Sequence, residues 1–303
     1  MHKVLDFIKK NKQFSFFLLL VILLALITIF APVIAPQDPY VSDLKNANQS
    51  KTNQTETRTV NLNYSKLPGK LLVNPLQPPS SDHWFGTDKL GRDIFSRVIY
   101  ASRSSLPATL ILVALIFVIG TLLGTLAGYF GGWIDAVIMR ISDMMISFPG
   151  MVLAIAVAGI MGASVKNAVI AVAVVSWPKY ARLARSLVMK IRHEDYIYAA
   201  IVTGSKTSYI LRKYMLPNII PTLIITAATD IGGMMLELAG LSFLGFGAKA
   251  PAAEWGLMLN EGRTYMQNAP WMMIYPGLAI VIVVVVFNLL GDSLRDVLDV
   301  REE

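Results

Sequence analysis

Two carboxylates stand inside a long apolar stretch, Asp230 and Glu237 in "IIPTLIITAATDIGGMMLELAGLSFLG". Seven residues of helix bring them close to one face, together with Met234 and Gly233. Acids so placed have two uses. They line a polar path, where they attract a cationic group or carry protons, or they pair with a base or polar group on a neighbouring helix. A second stretch, "TGSKT" at 203–207, has the residue types of a phosphate-binding loop. Ser205 separates Gly204 from Lys206, however, and no glycine precedes at the required spacing, so its amides cannot ring a phosphate. "LGFGAKA" lacks the third glycine of a dinucleotide loop. His-Glu-x-x-His and Gly-x-Ser-x-Gly are both missing. The three histidines (His2, His83, His193) are scattered and there is no cysteine, so no metal site, cofactor or catalytic residue is expected.

The elements that must position Asp230 and Glu237 follow from composition. The 303 residues are 54% hydrophobic and only 16% charged, against about 25% charged in ordinary soluble domains. The apolar residues cluster in runs, which predicts an all-α integral membrane protein with six transmembrane helices. Charge-poor windows place them within Gln13–Gln37, Ser104–Ile134, Met144–Val165, from Asn167 past Lys179 and Arg182, Asn218–Gly245 and Thr264–Gly291. The net charge of +7 is read as basic residues gathered at membrane surfaces, not as a nucleic-acid footprint. Eight Lys/Arg between Lys179 and Lys213, and lysines before the first span, put that segment and both termini in the cytoplasm. The chain then divides into a cytoplasmic N-terminus 1–12, a first span 13–37, an outer loop 38–103, a five-helix core 104–297 and a C-terminus 298–303.

Within the outer loop, 43–66 is polar and poor in core formers. The part that follows predicts an interfacial helix over 88–103, capped by Thr87 or Asp88. It sets Leu90, Ile94, Phe95, Val98 and Ile99 opposite Lys89, Arg92, Asp93 and Arg97. Gly120, Gly124 and Gly128, at four-residue spacing, offer a flat face for close helix packing. Arg140 and Asp143 are spaced to pair with each other. Trp177 and Tyr180 read as inner interface anchors, and Trp84, Trp255 and Trp271 as outer ones.

Between the fourth and fifth spans, "YIYAAIVTGSKTSYILRKYMLPN" reads as a cytoplasmic knob. A short helix ends at Gly204, which suits a left-handed turn. Ser205 then caps a second helix over Lys206–Met215, and Pro217 stops it. Tyr198, Ala199, Ala200, Ile201 and Val202 give the knob a small, apolar surface fit for a partner's groove.

This stretch resembles the "EAA" loop of permease subunits in ATP-binding-cassette importers. Ala199, Ala200, Gly204, Leu216 and Pro217 match its pattern. Tyr198 stands where that family often has Glu, and Tyr214 where the peptide branch often has His. "HWFGTDKLGRDIFSRVIYASRSSL", "GYFGGWIDAVIMRISDMMISFP", "WPKYARLARS", "GLSFLGFG" with "WGLML", and "NLLGDSLRDVLDVRE" are similar to the C-type permeases of oligopeptide, dipeptide and nickel importers, although Val300 replaces the usual proline of the ending. The resemblance implies a coupling helix in loop 194–217. It also implies a sister permease, two ATP-binding subunits that hydrolyse ATP on this chain's behalf, an extracytoplasmic substrate-binding protein, and a bacterial cytoplasmic membrane. The expected function is half of a translocation pathway for peptides, with nickel as the alternative. An ion-coupled transporter using Asp230 and Glu237 is the remaining one.

Overall fold

The computed structural model describes residues 11–40 and 75–299. The terminal segments 1–10 and 300–303 and most of the polar outer loop lie outside the described residues. All regular elements among the described residues are helical, apart from one isolated bridge between Thr87 and Asp93. In chain order they are α1 (Lys12–Ile34), α2 (Ile94–Phe130), α3 (Gly132–Ile146), α4 (Gly150–Met161), α5 (Val165–Arg192) and α6 (Asp195–Val202), followed by the single turn α7 (Thr207–Ile210). A π-helical turn, Leu211–Met215, joins α7 to α8 (Leu216–Phe243), after which come α9 (Trp255–Arg263) and α10 (Trp271–Asp299).

Four of these helices, counting Thr207–Phe243 as one, are long and apolar enough to cross a membrane. The count is five if α3 and α4 form a single span. These two are set at 93° to each other, so the stretch expected as one straight third span is broken. The break falls at "SFPG", where Pro149 disfavours helical backbone at the residue before it. Helix α5 is 28 residues long but carries Lys166, Lys179, Arg182, Arg185, Lys190 and Arg192, and so is less apolar than the other long helices.

The expected separate interfacial helix over 88–103 does not form. Helix α2 begins at Ile94 and runs unbroken for 37 residues, and its cap is Asp93, whose carboxylate accepts from the Ser96 amide at 2.8 Å. Thr87 and Asp88 are instead held in the preceding turn, where Asp88 accepts from the Leu90 and Arg92 amides. Nor does Pro217 stop a helix. It lies in the first turn of α8 and the chain stays helical through it. Proline cannot donate its missing N–H and crowds the carbonyl four residues back. The π turn just before it shifts the hydrogen-bond register and absorbs that misfit.

The glycine stripe of α2 sets the tightest contact in the fold. All three glycines are buried against α5: Gly120 on Trp177 and Tyr180, Gly124 on Ala181 and Ala184, Gly128 on Arg185 and Val188. Trp177 and Tyr180 are thus packing residues here, not interface anchors. A Cβ on Gly124 would stand 2.8 Å from Ala184 Cβ and closer still to the Ala181 carbonyl. Gly124→Val should therefore force α2 and α5 apart and cost about 1–3 kcal/mol. Thermal unfolding of the purified protein would check this, and an unchanged midpoint would refute it.

Candidate functional site

The knob is built from the chain's own packing. Ile197 and Ala200 of α6 point inward and are buried, with Ile210, Met215 and Val188, in the larger apolar core. Ala199, Tyr198, Ile201 and Val202 point outward, and Val202 is 85% exposed. Helix α6 ends as its glycine requires. Gly204 has φ +79°, its N–H donates to the Ile201 carbonyl, and the Ser205 N–H donates to the Ala200 carbonyl, each at 3.0 Å. This reciprocal pair closes the helix end and sets a fixed elbow. Ser205 caps nothing; Lys206 occupies the cap position before α7, with no side-chain hydrogen bond to the helix. Beside the elbow lies an open cleft lined by Ser205, Lys206, Ser208, Tyr209, Arg212 and Lys213. Leu216 is half-buried and Pro217 exposed where the knob feeds into α8.

A second feature is a charged face shared by α3, α5 and α8. Lys179 Nζ donates to Asp230 Oδ1 at 2.5 Å. The lysine side chain is 58% exposed and the aspartate only 12%. Asp230 Oδ2 faces the buried Tyr180 without a well-formed hydrogen bond. Arg182 reaches Asp143 at 2.6 Å and Ser142 at 3.2 Å, so Asp143 pairs across helices and not with Arg140 as its spacing suggested. Arg185 grips both oxygens of Asp135. Glu237 is half-buried on the same side of α8. Met234, expected beside it, turns into the apolar core and is 8% exposed. The helical spacing is right, but 100° per residue carries position 234 to the inner side of the face defined by 230, 233 and 237.

The sequence pattern of the family described as "binding-protein-dependent transport system inner membrane component" matches residues 120–302. A second, described as "N-terminal TM domain of oligopeptide transport permease C", matches residues 2–54. The chain belongs to the binding-protein-dependent inner-membrane permease family. It is 42% identical to the dipeptide transport system permease protein DppC of Alkalihalophilus pseudofirmus, over 96% of this chain and 87% of that protein. It is 41% identical to the probable D,D-dipeptide transport system permease protein DdpC of Escherichia coli K12, over 92% and 85%. With the nickel transport system permease protein NikC of the same organism it shares 39%, over 93% and 92%. Its fold resembles the MetNI methionine ABC transporter in an inward-facing conformation, with a TM-score of 0.56 and 20% identity, over 67% of this chain and 97% of that one. The chain is thus a transport permease of the inner membrane, and its matched region holds both the knob and the charged face.

This permease also carries a buried ionic cluster that sequence reasoning missed. Arg92 donates to Asp88 at 2.6 Å and to Glu261 at 3.2 Å, while Arg97 meets Asp88 at 3.4 Å and Glu261 at 3.1 Å. His83 lies 3.0 Å from Asp93. Arg92 and Arg97 are each 1% exposed, whereas Leu90, assigned to the apolar face, is the exposed residue. Ile94 and Val98 are buried and Lys89 is exposed, as the amphipathic pattern expects. The polar face carrying Arg92, Asp93 and Arg97 is buried as well, because Asp88 and, from α9, Glu261 meet both arginines, the latter acid 164 and 169 residues away. One signal was available: a run with two acids and two arginines at three- to five-residue spacing is charge-balanced and able to go inside as a unit. Next to this cluster Glu254 caps α9, accepting from the Gly256 and Leu257 amides at 2.9 and 2.8 Å. Burial pushes its carboxyl up from the usual range, and those amides pull it back. Trp255, expected as an anchor, is buried and donates Nε1–H to the Val98 carbonyl.

Proposed function

We propose that this permease forms half of the translocation path of an ATP-binding-cassette importer for dipeptides or oligopeptides, in a bacterial cytoplasmic membrane. In this reading there are six spans, the third being the broken pair α3–α4 and the fourth α5, with both termini and the loop 194–217 on the cytoplasmic side. Helix α6 is then the coupling helix, and a sister permease, two ATP-binding subunits and an extracytoplasmic binding protein complete the assembly. The observation that carries the reading is the exposed apolar cap of α6. Tyr198, Ile201 and Val202 stand in the open on a rigid elbow, a surface that only a partner would cover. Because Ile197 and Ala200 lock α6 to the core that α5 and α8 share, a push on the cap moves whole helices instead of bending a loop. Asp230 and Glu237 border the path in this reading, and Met234 supports them from behind.

Peptides come first because relatives named for dipeptides are 41–42% identical over most of this chain. Nickel is the second reading, carried by the nickel-named relative at 39%. The test is reconstitution in vesicles. With both permeases, the ATPases, the binding protein and ATP, dialanine accumulates inside; with this chain alone, nothing does. Accumulation driven by the lone chain would refute the proposal.

A further inference from the structure

The Lys179–Asp230 pair poses a problem of place. Lys179 lies 14 residues from the start of α5 and Asp230 lies 13 from the end of α8. At about 1.5 Å per residue both are about 20 Å from the outer ends of their helices, inside a hydrocarbon core about 30 Å thick. Yet the lysine side chain is 58% exposed. A charge at that depth does not face lipid; it faces protein or water. One N–H of the ammonium is given to Asp230, which leaves two free donors on the open face.

Above the pair, toward the outer side, the same face is vacant. Gly233 is exposed, and a methyl group built on it would meet nothing within 4 Å. Glu237 follows four residues later with no protein partner for its carboxylate among the described hydrogen bonds. Asp230 and Glu237 are separated by about 10 Å along the helix axis. An extended dipeptide of about 7 Å, joined to the acid by a hydrogen bond of about 3 Å, also spans about 10 Å. The face therefore presents a cation with free donors, a gap the width of a backbone, and a carboxylate, in that order from inside to outside.

Resting on the permease reading above, we infer that Lys179, steadied by Asp230, and Glu237 form a two-signed station for a zwitterionic di- or tripeptide. The peptide carboxylate takes the free donors of Lys179, its backbone crosses Gly233, and its ammonium group meets Glu237. The solute thus travels carboxylate first toward the cytoplasm. A divalent cation fits this station poorly, because the ammonium of Lys179 repels it and neutralises one of the two acids.

The test uses the whole importer in vesicles, with ATP-driven uptake of dialanine and of nickel ion measured separately. Lys179→Gln and Glu237→Gln should each lower dialanine uptake at least about tenfold, the usual worth of one charge-assisted hydrogen bond. Lys179→Arg, which keeps the charge, should retain most of it. The chain has no cysteine, so Gly233→Cys supplies a single probe at an open position. It should react with a membrane-impermeant anionic thiol reagent, and dialanine should slow that reaction severalfold. Dialanine uptake unchanged in Lys179→Gln, or a Gly233→Cys that the reagent never reaches, would overturn the station. A wild-type importer that accumulates nickel ion and no dialanine would instead refute the peptide reading on which the station rests.

Discussion

Val202→Asp is expected to abolish ATP-driven uptake while the helical bundle stays folded. Val202 is 85% exposed, and a Cβ on the neighbouring Gly204 would meet nothing within 4 Å, so no packed core receives the new carboxylate. In the proposed assembly the damage falls on docking. A charge placed in an apolar contact loses its hydration and gains no partner, which costs about 2 kcal/mol or more and lowers productive docking about thirtyfold or further. Val202→Ala removes two methyl groups and should cost only a few-fold. Uptake by the reconstituted importer, with the amount of ATPase co-purifying with the permease, measures both. Normal uptake and normal co-purification in Val202→Asp would show that this cap is not where the motor binds.

The second large effect concerns the buried ionic cluster of Asp88, Arg92, Arg97 and Glu261. Arg97→Gln leaves Asp88 and Glu261 to share Arg92 in a nearly dry site. Removing one member of a buried ionic group costs about 3–5 kcal/mol, because an uncompensated charge stays behind. The permease should unfold at a markedly lower temperature and accumulate poorly in the membrane. Arg97→Met combined with Glu261→Gln removes a charge of each sign and should recover at least half of the loss. If both variants are equally unstable, the shape of the arginine and not its charge holds the site. If neither is affected, the cluster contributes nothing. Because Asp88, Arg92 and Arg97 tie the start of α2 to α9, the loss should fall on the end of the bundle where those two helices meet.

The particular residues show how much was legible in advance. The elbow at Gly204 is local physics: a left-handed turn has one preferred residue, and its hydrogen bonds close within five positions. The glycine stripe was legible for the same reason, since 120, 124 and 128 must share a face on any helix. What the stripe packs on was not, because each glycine meets residues of Trp177–Val188 that lie 57 to 60 positions along the chain. Pro217 misled because a proline's local cost can be absorbed by a π turn that no residue type announces. Asp143 misled because a nearby Arg140 satisfies the spacing rule, yet Arg182 reaches it from α5.

The all-helical class, the long apolar helices and the family itself follow from composition and from motifs whose parts are close in the chain. Such features depend on periodicity and backbone conformation, which are short-range. The partners of the charges were decided only in three dimensions. Lys179 with Asp230, Arg182 with Asp143 and Arg97 with Glu261 join helices distant in sequence. In a medium that hydrates poorly, each charge settles on whichever opposite charge the packing brings within reach.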